Sequence, residues 1–194
     1  VGYVSNEWKL LYTYDFGVTN AANITYYIGK GMEKGTFTHY KVDMSGLKIA
    51  STAAQELLLR WSTVNGATSG YSITGYYGAR WGGVHDGNFT TAGESNLTDM
   101  RIAYLNDATA GRSHHRTVIE FNNMFEGPMG VDKHSEVGVF CQSSGYLHST
   151  SHNGYGGLTC VGTNNNEATT GQGGSGGELT CIQILNETNA NFNR

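Results

Sequence analysis

The run from Tyr40 to Gly83 constrains this chain most. Inside it, Glu56–Thr63 reads Glu-Leu-Leu-Leu-Arg-Trp-Ser-Thr. Leu57, Leu59 and Trp61 alternate with Leu58, Arg60 and Ser62, the two-residue period of a strand half-buried in a core. Tyr40–Ile49 and Gly70–Gly83 are further strand-like runs, set apart by Gly, Ser, Thr, Ala and Asn. No long stretch carries the three-and-four spacing of an amphipathic helix; Ser51–Leu59 could open with a helical turn, but the alternation that follows is that of a strand.

Composition supports the same class. The chain has 194 residues, enough for one domain with a real core. It holds 28 Gly and 1 Pro and is only 14% charged, against about 25% charged for an ordinary domain. Polarity comes from Ser, Thr and Asn. Gly and Asn accept the positive φ of tight turns, so short strands with many turns are expected. Candidate strands fall near residues 7–14, 22–29, 37–49, 56–63, 70–79, 99–105, 116–123, 135–142, 145–150, 155–162 and 178–185. Short strands at such spacing predict an all-β sandwich or barrel. The expected organisation is a single sandwich domain over residues 1–185 and a polar, peripheral tail over 186–194. Two long Gly/Asn/Ser-rich loops are expected, at Gly82–Asn96 and Gly162–Gly177.

Several function classes find little support. With net charge −4 and 12 Lys+Arg, the chain has no basic run to follow phosphates, so no nucleic-acid partner is expected. No apolar run approaches the roughly 18–20 residues that cross a bilayer as a helix, so no membrane insertion is expected. Val1–Glu7 has neither the basic stretch nor the apolar core of a signal peptide.

The three cysteines, Cys141, Cys160 and Cys181, lie in strand-like runs. They read as buried thiols acting as small hydrophobes, with one bridge and one leftover thiol as the alternative. No metal site is expected. His114-His115 and the pair His148 and His152 read as exposed loop histidines, because residues four apart on a strand are ~13 Å apart. Asp86, Glu94, Asp99, Asp107, Glu120, Glu126, Asp132 and Glu136 are numerous, yet nothing in their spacing sets two carboxyls across a cleft. Gly174-Ser175-Gly176 does not stand at a strand-to-helix elbow. No enzymatic activity and no cofactor are expected.

The vocabulary of Tyr, Ser, Gly, Asn and Thr is that of binding surfaces, where Tyr adds rigid area and small polar residues add adaptable hydrogen bonds. Tyr76, Tyr77, Arg80 and Trp81 precede the first long loop, and Tyr146, His148, His152 and Tyr155 sit in the turn-rich segment Gly145–Gly157. These eight are the candidate ligand or interface residues. Packing in a core or a subunit interface is the competing reading of the aromatics.

Four elements carry a resemblance. They are Trp8-Lys9-Leu10-Leu11 as an opening strand; Phe37–Val42 with Glu56–Thr63 and Gly75–Gly78; Thr117-Val118-Ile119-Glu120-Phe121; and the closing Gly177–Ile184. In this order they resemble tailed-bacteriophage virion proteins of the tail-fibre, head-fibre and decoration type, which carry a β-jelly-roll sandwich. Where that family closes on Gly after its last strand, this chain has Asn186. The resemblance implies an antiparallel jelly-roll β-sandwich and a non-enzymatic structural role on the virion surface. It also implies assembly with copies of itself and with other virion proteins. The alternative it leaves open is a carbohydrate- or receptor-binding module for a host-surface glycan, using the Tyr/Trp-rich loops.

Overall fold

A computed structural model describes residues 8–15, 21–27, 39–49, 55–62, 76–84, 89–105, 115–122, 138–148, 153–164, 181–188 and 191–193. Among these residues the regular structure is all β, in two packed antiparallel sheets. In chain order the strands are β1 (Asn23–Tyr27), β2 (His39–Ser45), β3 (Lys48–Ile49), β4 (Gln55–Ser62), β5 (Tyr76–Val84) and β6 (Phe89–Leu97). They continue with β7 (Met100–Leu105), β8 (Arg116–Asn122), β9 (Gly138–His148), β10 (Asn153–Asn164), β11 (Cys181–Asn186) and β12 (Phe192–Asn193). The smaller sheet has the order β1-β11-β4-β7 and the larger β2-β8-β9-β10-β5-β6. The short β12 and β3 pair separately.

The alternation in β4 works as expected. Leu57, Leu59 and Trp61 are buried and face the larger sheet with Ile182, Ile184, Met100 and Ile102. The larger sheet answers with Tyr40, Met44, Ile119, Phe121, Val139, Cys141, Leu158 and Cys160. Trp61 and Phe121 meet edge to face across the sheets, with ring centroids 6.1 Å apart. Such a contact adds about 0.5–1.5 kcal/mol beyond simple burial. On the other face of β4, Leu58 lies opposite Leu185 of β11, and both are buried too. The smaller sheet is therefore covered on both faces at its centre, which the alternation in β4 did not indicate.

Other differences from the expected elements have local causes. Trp8–Asp15 forms no strand; Tyr12 stacks on Tyr26 of β1 at 4.9 Å instead, and Leu10 is exposed. The expected loop Gly82–Asn96 is largely strand, because its first residues end β5 and Phe89–Leu97 returns beside it as β6. The two runs near 135–142 and 145–150 form one long strand, β9, and much of the turn-rich segment Gly145–Gly157 lies in the arms of β9 and β10. Glycine here lets strands approach: a Cβ on Gly82 would collide with the Gly157 carbonyl oxygen of β10. The end of the chain is tied down. Phe192, in the segment read as a polar tail, is fully buried, and its N–H donates to the Ala21 carbonyl at 2.8 Å.

Candidate functional site

The larger sheet presents an outer face whose composition follows from strand register. Thr117, Ile119 and Phe121 of β8 point into the core, so Val118 and Glu120 point out; on β9, Phe140 and Gln142 do the same between Val139, Cys141 and Ser143. Register aligns the outward residues in rows across the sheet. One row runs Lys41, Glu120, Phe140, Val161, Ala79, Gly93. The next runs Asp43, Val118, Gln142, Thr159, Trp81, Thr91. Directly opposite residues have Cβ positions about 4.5–5.5 Å apart, so members of a row are neighbours on the surface.

Three large apolar side chains stay exposed on these rows: Phe140 at 41%, Trp81 at 39% and Val161 at 37%. Core residues of the same sheet are nearly all below 10%, so this is an apolar patch open to solvent. Trp81 sits between the two hydroxyl residues Thr159 and Thr91. Beside it is an open depression of about 290 Å³ lined by Ala79, Arg80, Trp81, Thr91, Ala92 and Gly93. Small neighbours leave one side of the indole accessible. At the β2–β8 end the charges are matched. Arg116 donates to both Asp43 carboxylate oxygens at 3.1 and 2.7 Å, and Lys41 lies 3.5 Å from Glu120. The Arg116 hydrogen bond holds the Asp43 carboxyl below the usual carboxylate range, and Asp43 in turn raises Arg116. These rows are thus apolar and neutral-polar at one end and charge-balanced at the other.

The chain matches no family model, no curated protein and no solved structure.

The candidate residues do not converge. Trp81 stands on the outer face. Arg80, one residue earlier on β5, takes the opposite direction: its Nη1 reaches Glu56 Oε1 at 2.9 Å, while Arg101 of β7 approaches Glu56 Oε2 at 2.9 Å. Glu56 is therefore held between guanidiniums from the two sheets, and Arg80 serves the fold there. Arg60 and Asp99 form a further ion pair within the smaller sheet's edge region. Tyr76 and Tyr77 open β5 opposite Asn164 and Thr163 at one end of β10. Tyr146 and Tyr155 are register partners near its other end, as are His148 and Asn153. Tyr155 to Asn164 along β10 is about 30 Å at ~3.3 Å per residue, so the two tyrosine groups belong to opposite ends of the sheet. His152 lies outside the described residues.

The histidine expectation also changes. His115, read as an exposed loop residue, is buried at 6% exposure just before β8, and its Nε2 lies 3.0 Å from the Thr117 hydroxyl. Burial pushes its pKa down to about 4. Phe140, Val161, Thr91 and Thr159 were not among the sequence candidates. Phe140 could not be singled out, since Val139 and Cys141 beside it are equally apolar and only the facing sheet decides which of them is covered.

Proposed function

We propose that this chain is a non-enzymatic structural component of a tailed-phage particle, assembling with copies of itself and with other virion proteins through its sandwich surfaces. The observation that carries the reading is the pairing pattern. β1 pairs with β11, β2 with β8, β4 with β7 and β5 with β6. These four antiparallel pairs alternate between the smaller and the larger sheet as the chain proceeds. A jelly roll wraps its ribbon in this way, so the pattern supports that architecture, which is common to viral capsid and lectin domains. On this reading β9 and β10 are an extra hairpin inserted between β8 and β5, which widens the second sheet to six strands. Charge use fits a structural part: Glu56, Asp99, Asp43 and Glu120 each stand in an ion pair with an arginine or lysine. Locating the chain by cryo-electron microscopy of an intact particle tests the proposal. Density for the sandwich in repeated copies on the head, tail or fibre supports it. A particle population that contains no such density refutes it.

A second reading rests on Trp81. An exposed indole between two threonines, beside an open depression and on the opposite side of β5 from the Arg80–Glu56 pair, is suited to the C–H face of a neutral sugar. Here the binding surface is the sheet face and not the Tyr/Trp-rich loops. Screening the folded protein and Trp81→Ala against neutral glycans checks it. Binding by the parent chain that is lost in a variant with unchanged circular dichroism supports the reading, and no binding by the parent chain removes it.

A further inference from the structure

We propose that Cys141 and Cys160 are a latent cross-strand disulfide. When the chain folds in an oxidising medium they close one covalent bond between β9 and β10. The two residues stand directly opposite each other in the β9–β10 register. Both belong to the buried core, so their Cβ atoms leave the sheet on the same inner face. Both thiols also converge on one acceptor. Cys141 Sγ lies 3.6 Å and Cys160 Sγ 3.8 Å from the Ile102 carbonyl oxygen of β7, and Cys160 Sγ lies 3.3 Å from the Arg101 carbonyl. Directly opposite residues in an antiparallel pair have Cα atoms about 4.5–5.5 Å apart. A disulfide accepts about 4.4–6.8 Å. Closure therefore needs rotation of two side chains and little backbone movement. Cys181 lies in the other sheet, opposite Ser62 and Tyr27, so it has neither thiol as a strand partner.

The step is ordinary thiol–disulfide exchange with a small disulfide such as oxidised glutathione as oxidant. One cysteine loses its proton and its thiolate attacks the glutathione disulfide. A mixed disulfide forms and one glutathione thiol leaves. The second cysteine, deprotonated in turn, attacks the protein sulfur of that mixed disulfide and expels the second glutathione. Two cysteine thiols are oxidised and one glutathione disulfide is reduced to two thiols. The reacting species is the thiolate. A hydrogen bond to Cys160, together with burial, pushes the Cys141 thiol far above its ordinary range. The closed sandwich thus suppresses exchange, and the bond forms while the sheets are still opening and closing during folding.

The test refolds the full chain from urea in a buffer of reduced and oxidised glutathione, beside a control refolded in dithiothreitol. Each sample is denatured, alkylated and digested without reduction. Mass spectrometry then reads the linkages. The expected product is a peptide pair joined through Cys141 and Cys160, lighter by two hydrogens than the reduced peptides, with Cys181 alkylated. Its thermal midpoint should exceed that of the control, and Cys160→Ser refolded in the same buffer should lose both the linkage and the increase. Full alkylation of all three cysteines in the glutathione sample would overturn the proposal. So would a dominant linkage that involves Cys181.

Discussion

Replacing His115 gives the sharpest test of how this core is built. The imidazole is buried, Nε2 lies 3.0 Å from the Thr117 hydroxyl, and Nδ1 has no hydrogen-bond partner among the described residues. An imidazolium there would carry a charge out of water and a second N–H with nowhere to donate. Its pKa accordingly falls from 6.5 to about 4. Between these values the unfolded chain binds a proton and the folded chain does not. Stability then falls as pH falls, by about 1.4 kcal/mol per pH unit, and the dependence ends below the folded pKa. Over the whole window the loss is about 3 kcal/mol. His115→Gln keeps an amide for the Thr117 hydroxyl and cannot titrate. Urea unfolding of both proteins at a series of pH values isolates the effect, because carboxylate titrations common to both cancel in the difference. The stability of the parent chain relative to the variant should be constant above about pH 6.5 and should drop by about 3 kcal/mol on reaching about pH 4. A difference that stays flat across this range, or an NMR titration of His115 with a midpoint near its ordinary value, would refute the reasoning.

Three further outcomes follow from the packing. Gly82→Ala sets a Cβ against the Gly157 carbonyl and must push β5 from β10, so a loss of at least about 2 kcal/mol in denaturant unfolding is expected; a loss below about 0.5 kcal/mol would mean that the strands are not so close. Glu56→Gln takes the negative charge from between Arg80 and Arg101 and should cost roughly 2–4 kcal/mol, while Glu56→Leu combined with Arg80→Met should recover much of it, a comparison that a double-mutant cycle measures. Trp61→Ala opens a cavity opposite Phe121 and should cost about 3–5 kcal/mol, whereas Trp81→Ala on the open face should cost under about 1 kcal/mol; equal losses would contradict the assignment of inner and outer faces.

Strands with one wet face were legible from their alternation. In β2, Tyr40 and Met44 are buried while Lys41, Asp43 and Ser45 are exposed, and the sequence alternates accordingly. In β8, the outward Glu120 and Arg116 separate the inward Ile119, Phe121 and Thr117 in the same way. β6 was missed because Phe-Thr-Thr-Ala-Gly-Glu-Ser-Asn-Leu has the small and polar residues of a loop, and it becomes a strand by pairing with β5. Trp8–Leu11 failed in the opposite sense. It has strand-like residues but forms no strand ladder among the described residues, and residue type alone does not make a strand without one. The candidate site was half legible. Trp81 was singled out as an aromatic near a long loop, but that loop proved to be a hairpin, and Arg80 beside it turned to Glu56.

The sequence by itself determined the all-β class, because two-residue alternation and turn-forming residues are local properties that any segment carries with it. It also determined which residues each strand separates onto opposite faces. It did not determine which of two apolar faces would be covered. Val139 and Phe140, or Cys160 and Val161, are neighbours of similar hydrophobicity, and only the position of the second sheet buries one of each pair and leaves the other in water. The same holds for the juxtaposition of Cys141 with Cys160 and of Glu56 with Arg80. Cys141 meets Cys160 through the register of β9 against β10, and Glu56 meets Arg80 because the two sheets pack face to face; neither register nor sheet packing is a local property of a segment.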